Sequence, residues 1–565
     1  MGKRVLLALI PVFILAGLMS GAARAQGLSP QETWVMQQVA GGFTADLREK
    51  FGPEEKSRHL RGRFLEALLT GEMSGFKAHR RGVSIKNAVI PDYVSLRSAE
   101  IAQAVELQAC RFPAGLDCGY ALFKKSLSLD GSIITGMAMF NGMKVESDAS
   151  FNGTEFQGGT FFEGANIQGR LSAREVRFTG KLGAQFTNLQ VGSDADFSQA
   201  LFQADTFCSR MRVKGNFVIF NSVFEKQAFF DGTEVGGDFN AINAQFRHPQ
   251  APVYLVNLKV GQMGLFTGLK SQGGVSLAMA QFRDLFLGNS EPAQIISYKA
   301  LTLDYAVVER VLDLRNLEVD KLSAKKLTAK DLAFLDNVRL KDEARLDSSS
   351  FFILMLIKVA WPQTRNRVWL DEMTYQALHA RDNVAEEKPQ DWLKLLDLLQ
   401  ISRFNTQNYS QLESYFQRRG EKDRADEVFI QGKRREILQK WWRPTNLATF
   451  IFWDLLAGYG RKPSRTLWIS FSIVLLGMLF FDPKNFDPSF VGGWGWLLNG
   501  DRRKTGVIRF FLSLDEFLPG VDLGLARLWQ ISQISFGTLL YYHFHKIAGW
   551  ILIPIALAAV YTQFK

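Results

Sequence analysis

Cysteine and histidine are scarce in this chain, whose 565 residues include three cysteines and six histidines. Three cysteines in so long a chain exclude a disulfide framework as the main source of stability. The sequence also lacks a Cys-x-x-Cys pair, a His-Glu-x-x-His pair, a Gly-x-Ser-x-Gly elbow, a phosphate-binding loop and a dinucleotide-binding glycine pattern. It therefore offers no support for the enzyme classes that those motifs mark.

Two weak polar clusters remain as candidate sites near the C-terminus. His543 and His545 are the only close pair of histidines, and with Lys546 they flank an apolar run, where interface residues are commoner than haem or metal ligands. Asp515 and Asp522, in "LDEFLPGVDLG", could form a buried polar site, although such carboxylates more often cap helices or turns. We expect no cofactor and no catalytic residue.

Positive charge is concentrated in one window. The chain carries a formal charge of +11, and residues 430–466 contain eight Lys or Arg against two acids. Because this window borders the apolar C-terminal runs, we expect it to meet anionic lipid headgroups rather than nucleic acid. The membrane-interface candidates are Lys433, Arg434, Arg435, Lys440, Trp441, Trp442, Arg443, Arg461, Lys462 and Arg465.

The N-terminus is typical of a secretory signal. Lys3 and Arg4 precede an apolar stretch, and Ala23-Arg24-Ala25 forms a small-residue cleavage site before Gln26. An uncleaved N-terminal anchor is the alternative, and either version exports the chain that follows. We expect the bulk of the chain in a bacterial periplasm. Next, Ser29, Pro30 and Glu32 predict the capped start of a helix, and a second helix should end near Gly71.

From Ile85 onward the sequence is periodic, with an apolar residue after alternating steps of five and six. A two-residue slip after Phe178 resets the count, which resumes at Phe186. The positions predicted to face inward are Ile85, Ile90, Leu96, Ile101, Leu107, Phe112, Cys118, Phe123, Leu129, Ile134, Phe140, Val145, Phe151, Phe156, Phe162, Ile167, Ala173, Phe178, Phe186, Val191, Phe197, Phe202, Cys208, Val213, Ile219, Phe224, Phe230, Val235, Ala241 and Phe246.

Small residues and glycines follow the same count. Small inward partners are predicted at Ala88, Ala99, Cys110, Ala138, Ala149, Thr160, Ala165, Ala195, Thr206 and Ala228. Corners are predicted at Gly131, Gly142, Gly153 and Gly164, and at Gly158, Gly169 and Gly180. A later series at steps of five comprises Val307, Leu312, Leu317, Leu322, Leu327 and Leu332. All three cysteines fall on inward positions, and a disulfide between Cys110 and Cys118 stays open.

Neither the helical period of about 3.6 residues nor the strand period of about 2 fits this series. Four steps of five or six residues instead close a square coil of about 22 residues, which predicts a solenoid. The pattern resembles the pentapeptide-repeat family, and the resemblance implies a mainly β fold, a right-handed quadrilateral β-helix. About twelve coils at ~4.8 Å each would form a rod of about 58 Å.

Helical periodicity returns after the repeats. We predict a signal peptide over 1–25, an N-terminal helical cap over 26–82, the β-helix over 83–350, a transition segment over 351–388, a helical neck over 389–443 and a membrane domain over 444–565. Two spans are expected near 466–481 and 547–561. Residues 444–460 lie at the interface or form half of a hairpin. The hairpin would place Arg461, Lys462 and Arg465 in the cytoplasm, as the positive-inside rule prefers.

The order of these C-terminal segments resembles one bacterial group in particular. "DLLAGYGRKPSRTLW", an apolar span, "FFLSLDEFLPGVDLG" and "HKIAGW" occur in the order found in membrane-anchored pentapeptide-repeat proteins, often labelled membrane-associated oxidoreductases. The N-terminal "FLEALLTG" and "RRGVSIKNAVI" resemble the same group. That label implies a redox enzyme or subunit as one function, although no matched residue supplies its chemistry.

The tripeptide Gly458-Tyr459-Gly460 raises a third possibility, an ion-channel filter. A filter needs carbonyls presented between two full spans, and here Arg461 and Lys462 follow at once and would repel cations. We expect these glycines to end an interfacial helix. The sequence thus favours a scaffold or binding protein of the inner membrane that engages another protein, with a redox enzyme and a channel as alternatives.

Overall fold

The computed structural model describes residues 27–289, 294–364, 366–381, 388–439, 445, 450–482, 502–529 and 534–563. The chain divides into two compact units, Met1–Arg403 and Phe404–Lys565. The first unit is a β-solenoid of about 13 turns, built mostly from parallel strands, so the predicted mainly β fold is confirmed. The predicted signal peptide, the anchor alternative and their cleavage site lie outside the described residues.

Three short helices precede the coils: α1 (Pro30–Gly41), α2 (Leu47–Phe51) and α3 (Gly62–Thr70), with a 3-10 turn at Glu55–Arg58. The predicted start of α1 is confirmed, because the Ser29 amide donates to Glu32 at 2.8 Å and the Glu32 amide donates to the Ser29 hydroxyl. The predicted end of α3 is confirmed as well, since Gly71 caps it with a φ of 76°. Between α1 and α2 a short strand pairs with the first coil and covers its edge.

Each full coil has four sides, which we number in chain order. Side 1 consists of Val94–Ser95, Gly115–Asp117, Met137–Met139, Thr160–Phe161, Ala184–Gln185, Thr206–Phe207, Ala228–Phe229, Val253–Tyr254, Val275–Ser276, Ile296–Thr302, Leu317–Ser323, Arg339–Arg345 and Val368–Trp369. Side 2 consists of Glu100–Ile101, Leu122–Phe123, Lys144–Val145, Asn166–Ile167, Gln190–Val191, Arg212–Val213, Glu234–Val235 and Val307–Val308.

Side 3 consists of Ala45–Asp46, Val83–Lys86, Val105–Gln108, Leu127–Ser128, Ala149–Ser150, Leu171–Ser172, Ala195–Asp196, Phe217–Val218, Phe239–Asn240 and Val311–Asp313. Side 4 consists of Arg111–Phe112, Ile133–Ile134, Glu155–Phe156, Arg177–Phe178, Leu201–Phe202, Val223–Phe224, Gln245–Phe246 and Lys270–Ser271. Longer strands bend from side 2 into side 3 at Lys259–Leu265, Gln281–Phe286, Thr328–Asp336, Ser350–Ile357 and Thr374–Arg381.

The coil repeat follows the predicted count. Ile133 pairs with Glu155 and Phe156 pairs with Phe178, both 22 residues apart. At the predicted slip Thr160 pairs with Ala184, so the two extra residues enter the corner before side 1. Equivalent backbone groups of successive coils therefore form continuous parallel hydrogen-bonded ladders along the solenoid.

All thirty positions of the inward series are at most 5% exposed, which confirms the register. Their phenyl rings stack from coil to coil, as between Phe202 and Phe224, whose ring centroids lie 4.5 Å apart. Of the small partners only Ala99 is not fully buried. In the later series Val307 and Leu332 are partly exposed, because the steps of five are out of register by one residue there and Val308 and Ala333 face inward instead.

The corners explain both sets of glycines. At the corner between sides 3 and 4, residues 131 and 153 are glycines with φ near 65°, and position 221 of the same column is an asparagine with a φ of 55°. The second set has no positive φ. There a Cβ on Gly180 would lie 2.1 Å from the Gly158 carbonyl oxygen, so close stacking of the backbones requires glycine.

The solenoid extends past the predicted boundary at residue 350, so the expected transition segment is wrong. Ser350–Ile357 and Thr374–Arg381 pair with each other residue by residue and continue the ladder to Arg381. The sequence pattern fails here because these long strands carry outward apolar residues such as Phe352, which is 51% exposed. Helix α4 (Leu393–Ile401) follows within the first unit, although it was assigned to the neck, and it buries four leucines.

The second unit is helical. Helices α5 (Thr406–Arg418) and α6 (Lys422–Leu438) form a hairpin, and Gly420 between them has a φ of 74° as predicted. A π-helical turn at Phe450–Leu455 precedes α7 (Pro463–Phe480), α8 (Arg502–Phe517) and α9 (Phe536–Gln563), and a 3-10 turn lies at Ala526–Leu528.

Two helices are long and apolar enough to cross a membrane, Pro463–Phe480 and Phe536–Tyr561. Only 22% and 28% of the residues in their apolar stretches are buried, whereas the core helices of soluble proteins are mostly buried. The second helix starts at residue 536 rather than near 547, so His543 and His545 lie inside it and do not flank it. The polar residues of its first half mislead the sequence prediction, and two of them, Tyr541 and His545, contact neighbouring helices.

The inward register predicts a large difference between two Phe→Ala variants. Phe162 is 2% exposed, and we expect Phe162→Ala to lower the free energy of unfolding by about 3–5 kcal/mol, as for other buried phenylalanines. Phe207→Ala, on a half-buried outward ring of side 1, should cost clearly less, about 1–2 kcal/mol. Urea unfolding of the full chain in detergent, followed by β-sheet circular dichroism, measures both. Equal losses would show that the register is wrong.

Candidate functional site

The Gly458-Tyr459-Gly460 segment is a tight turn. Its three residues have φ values of 53°, 53° and 86°, all left-handed. The Tyr459 amide donates to the Trp453 carbonyl at 2.7 Å and the Lys462 amide donates to the Ala457 carbonyl at 3.0 Å, which closes the preceding helical turn. The carbonyls are thus part of a helix-ending turn, as the helix-terminator interpretation predicted.

The cations around this turn are tied to carboxylates, and we call this group the ion-pair clasp. Arg434 of α6 binds Asp454 through two hydrogen bonds of 2.6 and 2.9 Å, and the Asp454 side chain is 1% exposed. Arg461 lies 2.7 Å from Glu413 and 3.3 Å from Asp426. The remaining pair joins Lys462 to Glu427 at 2.7 Å. The clasp therefore fastens both neck helices to the segment that leads into α7.

Burial perturbs the acids of the clasp. The pKa of Glu413 and the pKa of Asp426 are both raised, chiefly because burial disfavours the charged form, and the Arg461 guanidinium only partly offsets this. Burial likewise raises the pKa of Tyr459 to about 12. For Glu427, burial is outweighed by hydrogen bonds from Lys462 and Gln431, which lower its pKa. Arg461 thus holds two carboxyls that are costly to ionise.

The other membrane-interface candidates have separate places. Lys433 forms an exposed pair with Glu436, and Arg435 donates to the Tyr409 hydroxyl and lies over the Phe404 ring. Arg465 is half-buried in the first turn of α7. The candidates Lys440, Trp441, Trp442 and Arg443 lie outside the described residues. Of the cations expected to meet lipid, Arg434 and Arg461 are instead paired with buried or half-buried acids, and Lys462 is paired with the half-buried Glu427.

His545 is the centre of a polar core between α7, α8 and α9, where it is fully buried. Its Nε2 lies 2.9 Å from the Ser513 carbonyl, which can only accept, so Nε2 carries a proton. Its Nδ1 lies 3.2 Å from the Tyr541 hydroxyl, which is also 3.0 Å from the Ile473 carbonyl. The hydroxyl has one proton. It can be donated to the Ile473 carbonyl or to an unprotonated Nδ1 of His545.

Close helix approach builds this polar core. A Cβ on Gly477 of α7 would lie 2.1 Å from the Ser513 hydroxyl oxygen, and one on Gly549 of α9 would lie 1.8 Å from the Phe517 carbonyl oxygen. One turn away, Lys546 donates to Glu516 at 3.2 Å, and the Glu516 side chain is 4% exposed. By contrast, His543 is exposed and packs on the Tyr542 ring. The structure therefore separates the two histidines that the sequence paired.

Asp515 and Asp522 do not share a site. The Asp515 carboxylate accepts backbone hydrogen bonds from Leu523, Leu525 and Ala526 at 2.6–2.9 Å and so fixes the loop after α8. Asp522 is exposed and pairs with Arg527. The alternative of loop and turn carboxylates thus describes both residues better than a buried polar site.

Outside these clusters, the thiols and acidic side chains of the described residues offer few reactive or metal-binding groups. Cys110, Cys118 and Cys208 are free and buried, so the bridge left open between Cys110 and Cys118 is not formed. Burial raises the pKa of Cys110 to about 12, which leaves the thiol protonated and unreactive. Within the described residues no group of three or more His, Cys, Asp or Glu side chains is arranged to hold a metal ion.

An outward aromatic column on side 1 is a feature that the sequence did not reveal. Phe207 stacks on Phe229 with ring centroids 5.1 Å apart, and Phe229 stacks on Tyr254 at 5.3 Å. We call these three residues the aromatic column. Met139 and Phe161 occupy the same outward register two coils and more before it. Each of the three aromatic residues lies one residue before an inward position. Because residues at such outward positions are usually polar, the three aromatic residues could have been noticed in the sequence.

Comparison of the chain with protein-family models, curated proteins and solved structures finds no match.

The clasp predicts a pH-dependent cost for Arg461→Ala. Without the guanidinium the folded-state pKa values of Glu413 and Asp426 rise further above their unfolded-state pKa values. Stability is therefore lost as the pH rises from the unfolded-state pKa to the folded-state pKa of each carboxyl. We expect a loss of about 3 kcal/mol near pH 7.5 and a much smaller one near pH 5. Hydrogen exchange of peptides over Thr406–Leu438 in the full chain measures it.

Lys433→Ala is the matched control, since its partner Glu436 is 47% exposed and the pair should contribute below about 1 kcal/mol at either pH. A loss of stability in Arg461→Ala that stays constant from about pH 5 to about pH 7.5 would show that Arg461 does not offset the cost of ionising Glu413 and Asp426.

Proposed function

We propose that this protein is a membrane-anchored periplasmic scaffold that binds another protein through side 1 of its β-solenoid. The observation that carries the proposal is the aromatic column, whose rings are only half-buried and stack in parallel across three successive coils. Rigid aromatic rings contribute strongly to protein interfaces because they bury a large area at a small entropic cost.

Further apolar side chains lie near the column, and Gln185 is the polar residue of its register between Phe161 and Phe207. Met137, the first residue of a side 1 strand, is 50% exposed, and Leu182, in the corner that leads into side 1, is 58% exposed. From Met139 to Tyr254 the outward register spans five coil steps, about 24 Å at ~4.8 Å per step. Such an extended, flat and partly apolar face suits a protein partner with a complementary apolar ridge better than a small molecule, which prefers a concave site.

The anchor and the location complete the proposal. Two apolar helices are available to cross a membrane. The N-terminal Lys3-Arg4, the apolar stretch after them and Ala23-Arg24-Ala25 support export, and an exported solenoid would lie on the periplasmic side of the inner membrane. The four-sided coil supports a pentapeptide-repeat-like solenoid as the class of scaffold. Attachment to the membrane raises the local concentration of a membrane-bound partner.

Site-specific photocrosslinking in the native membrane tests this function. A photoreactive residue at position 207, 229 or 254 should give one shared discrete adduct, identified by mass spectrometry. Positions 201 and 223, which are half-exposed and outward on side 4, are the matched controls and should not. In spheroplasts, added protease should digest the adduct, because the solenoid lies outside the cytoplasm.

A second comparison assigns the adduct to the aromatic rings. With the photoreactive residue at 254, Phe229→Ser should abolish the adduct and Val223→Ser should preserve it, at equal protein levels. An equal yield from sides 1 and 4, or an adduct that survives Phe229→Ser, would contradict the proposed binding face.

A further inference from the structure

A groove of about 980 Å³ runs along the outside of side 2. Its lining includes one column with Gly192, Lys214, Gly236 and Gly261 in successive coils. A Cβ on these glycines would lie 2.0 to 2.3 Å from a carbonyl oxygen of the preceding coil, so no side chain fits there. Because these glycines have no side chains, backbone is exposed at the bottom of the groove, and the Lys214 side chain extends outward between Gly192 and Gly236.

The groove is positively charged. Arg212, Lys214 and Lys259 line it, and Glu234 is its one acid among the described lining residues. Glu234 is bridged by Lys259 at 3.2 Å and by Arg212 at 3.4 Å, and all three side chains are between 44% and 68% exposed. Exposed pairs of this kind are weak and rearrange at small cost when a ligand arrives. Lys214 is exposed, and no ion pair joins it to a described acid.

Amide side chains flank these cations at both ends of the groove. Asn166, Gln168, Gln190 and Gln281 each present a donor and an acceptor at the surface. From Asn166 to Gln281 the lining spans five coil steps, about 24 Å at ~4.8 Å per step. The groove therefore offers one or two polar or charged side chains from each coil at a constant spacing, which suits a linear polymer with a repeat close to that of the coils.

We propose that this groove binds a segment of an acidic polysaccharide, a chain of linked uronic acids. Each pyranose of such a chain advances by nearly one coil spacing, so successive sugars would lie over successive coils. The cations would bind the carboxylates through charge-assisted hydrogen bonds, and the amides would bind the hydroxyls. The described lining contains no aromatic ring of the kind on which single-stranded nucleic acids stack.

Calorimetric titration of the full chain in detergent with an oligogalacturonate of about six sugars tests the proposal, that length being chosen to match the coil spacing. We expect saturable binding that Arg212→Ala/Lys214→Ala weakens by about tenfold or more, since charge-assisted hydrogen bonds are lost. Gln168→Ala/Gln190→Ala should weaken it by about threefold to tenfold. Lys181→Ala/Lys226→Ala removes the same charge near the opposite corner and should leave the affinity unchanged.

Two further ligands separate sugar recognition from plain attraction of anions. The same oligosaccharide with its carboxylates reduced to alcohols should bind at least about tenfold more weakly, and poly-L-glutamate of equal charge should bind no better than that. Absence of oligogalacturonate binding, equal binding of poly-L-glutamate, or an equal effect of the control variant would overturn the proposal. Because the groove and the aromatic column lie on different sides, the crosslinking result is independent of this outcome.

Discussion

The contact between an inward residue and its equivalent 22 residues later is the interaction on which the solenoid depends. Rings such as Phe202 and Phe224 stack at 4.5 Å, and the same spacing aligns the backbone amides and carbonyls of the two coils. Apolar burial and ladder hydrogen bonds are thus satisfied by one repeat. Hydroxyl groups at the corners are hydrogen-bonded between coils in the same way. The buried Thr154 hydroxyl, for example, donates to the Leu129 carbonyl of the preceding coil at 2.8 Å. The outward residues are free of these demands, which is why each side can carry its own surface chemistry.

The helical unit depends on a different constraint, the need to neutralise buried charge. Asp454 is almost fully buried and is held by Arg434, while Arg461 serves two carboxyls at once. Leaving any of these acids without its cation costs far more than an exposed pair contributes. Much of the positive charge that suggests a lipid-binding surface therefore stabilises the protein itself.

The sequence predicted the coil register because every coil imposes the same steric requirement at each position. It failed after residue 350, where strands of eight residues carry outward apolar side chains such as Phe352. It also could not pair Arg461 with Glu413, since 48 residues separate them and the pairing depends on how the helices pack. The polar first half of α9 was mistaken for a membrane flank for the same reason. The aromatic column and the side 2 groove appear only once outward positions of successive coils are aligned.

Disulfide trapping between outward positions tests the coil repeat most directly. Gln203 and Glu225 follow the paired Phe202 and Phe224, so their Cα atoms should lie about 5 Å apart, within the range that a disulfide spans. Arg247 is one coil further along the same column. Under mild oxidation of the full chain, Gln203→Cys/Glu225→Cys should form a disulfide, and Gln203→Cys/Arg247→Cys should not. A disulfide in the second variant and none in the first would contradict a solenoid with this register.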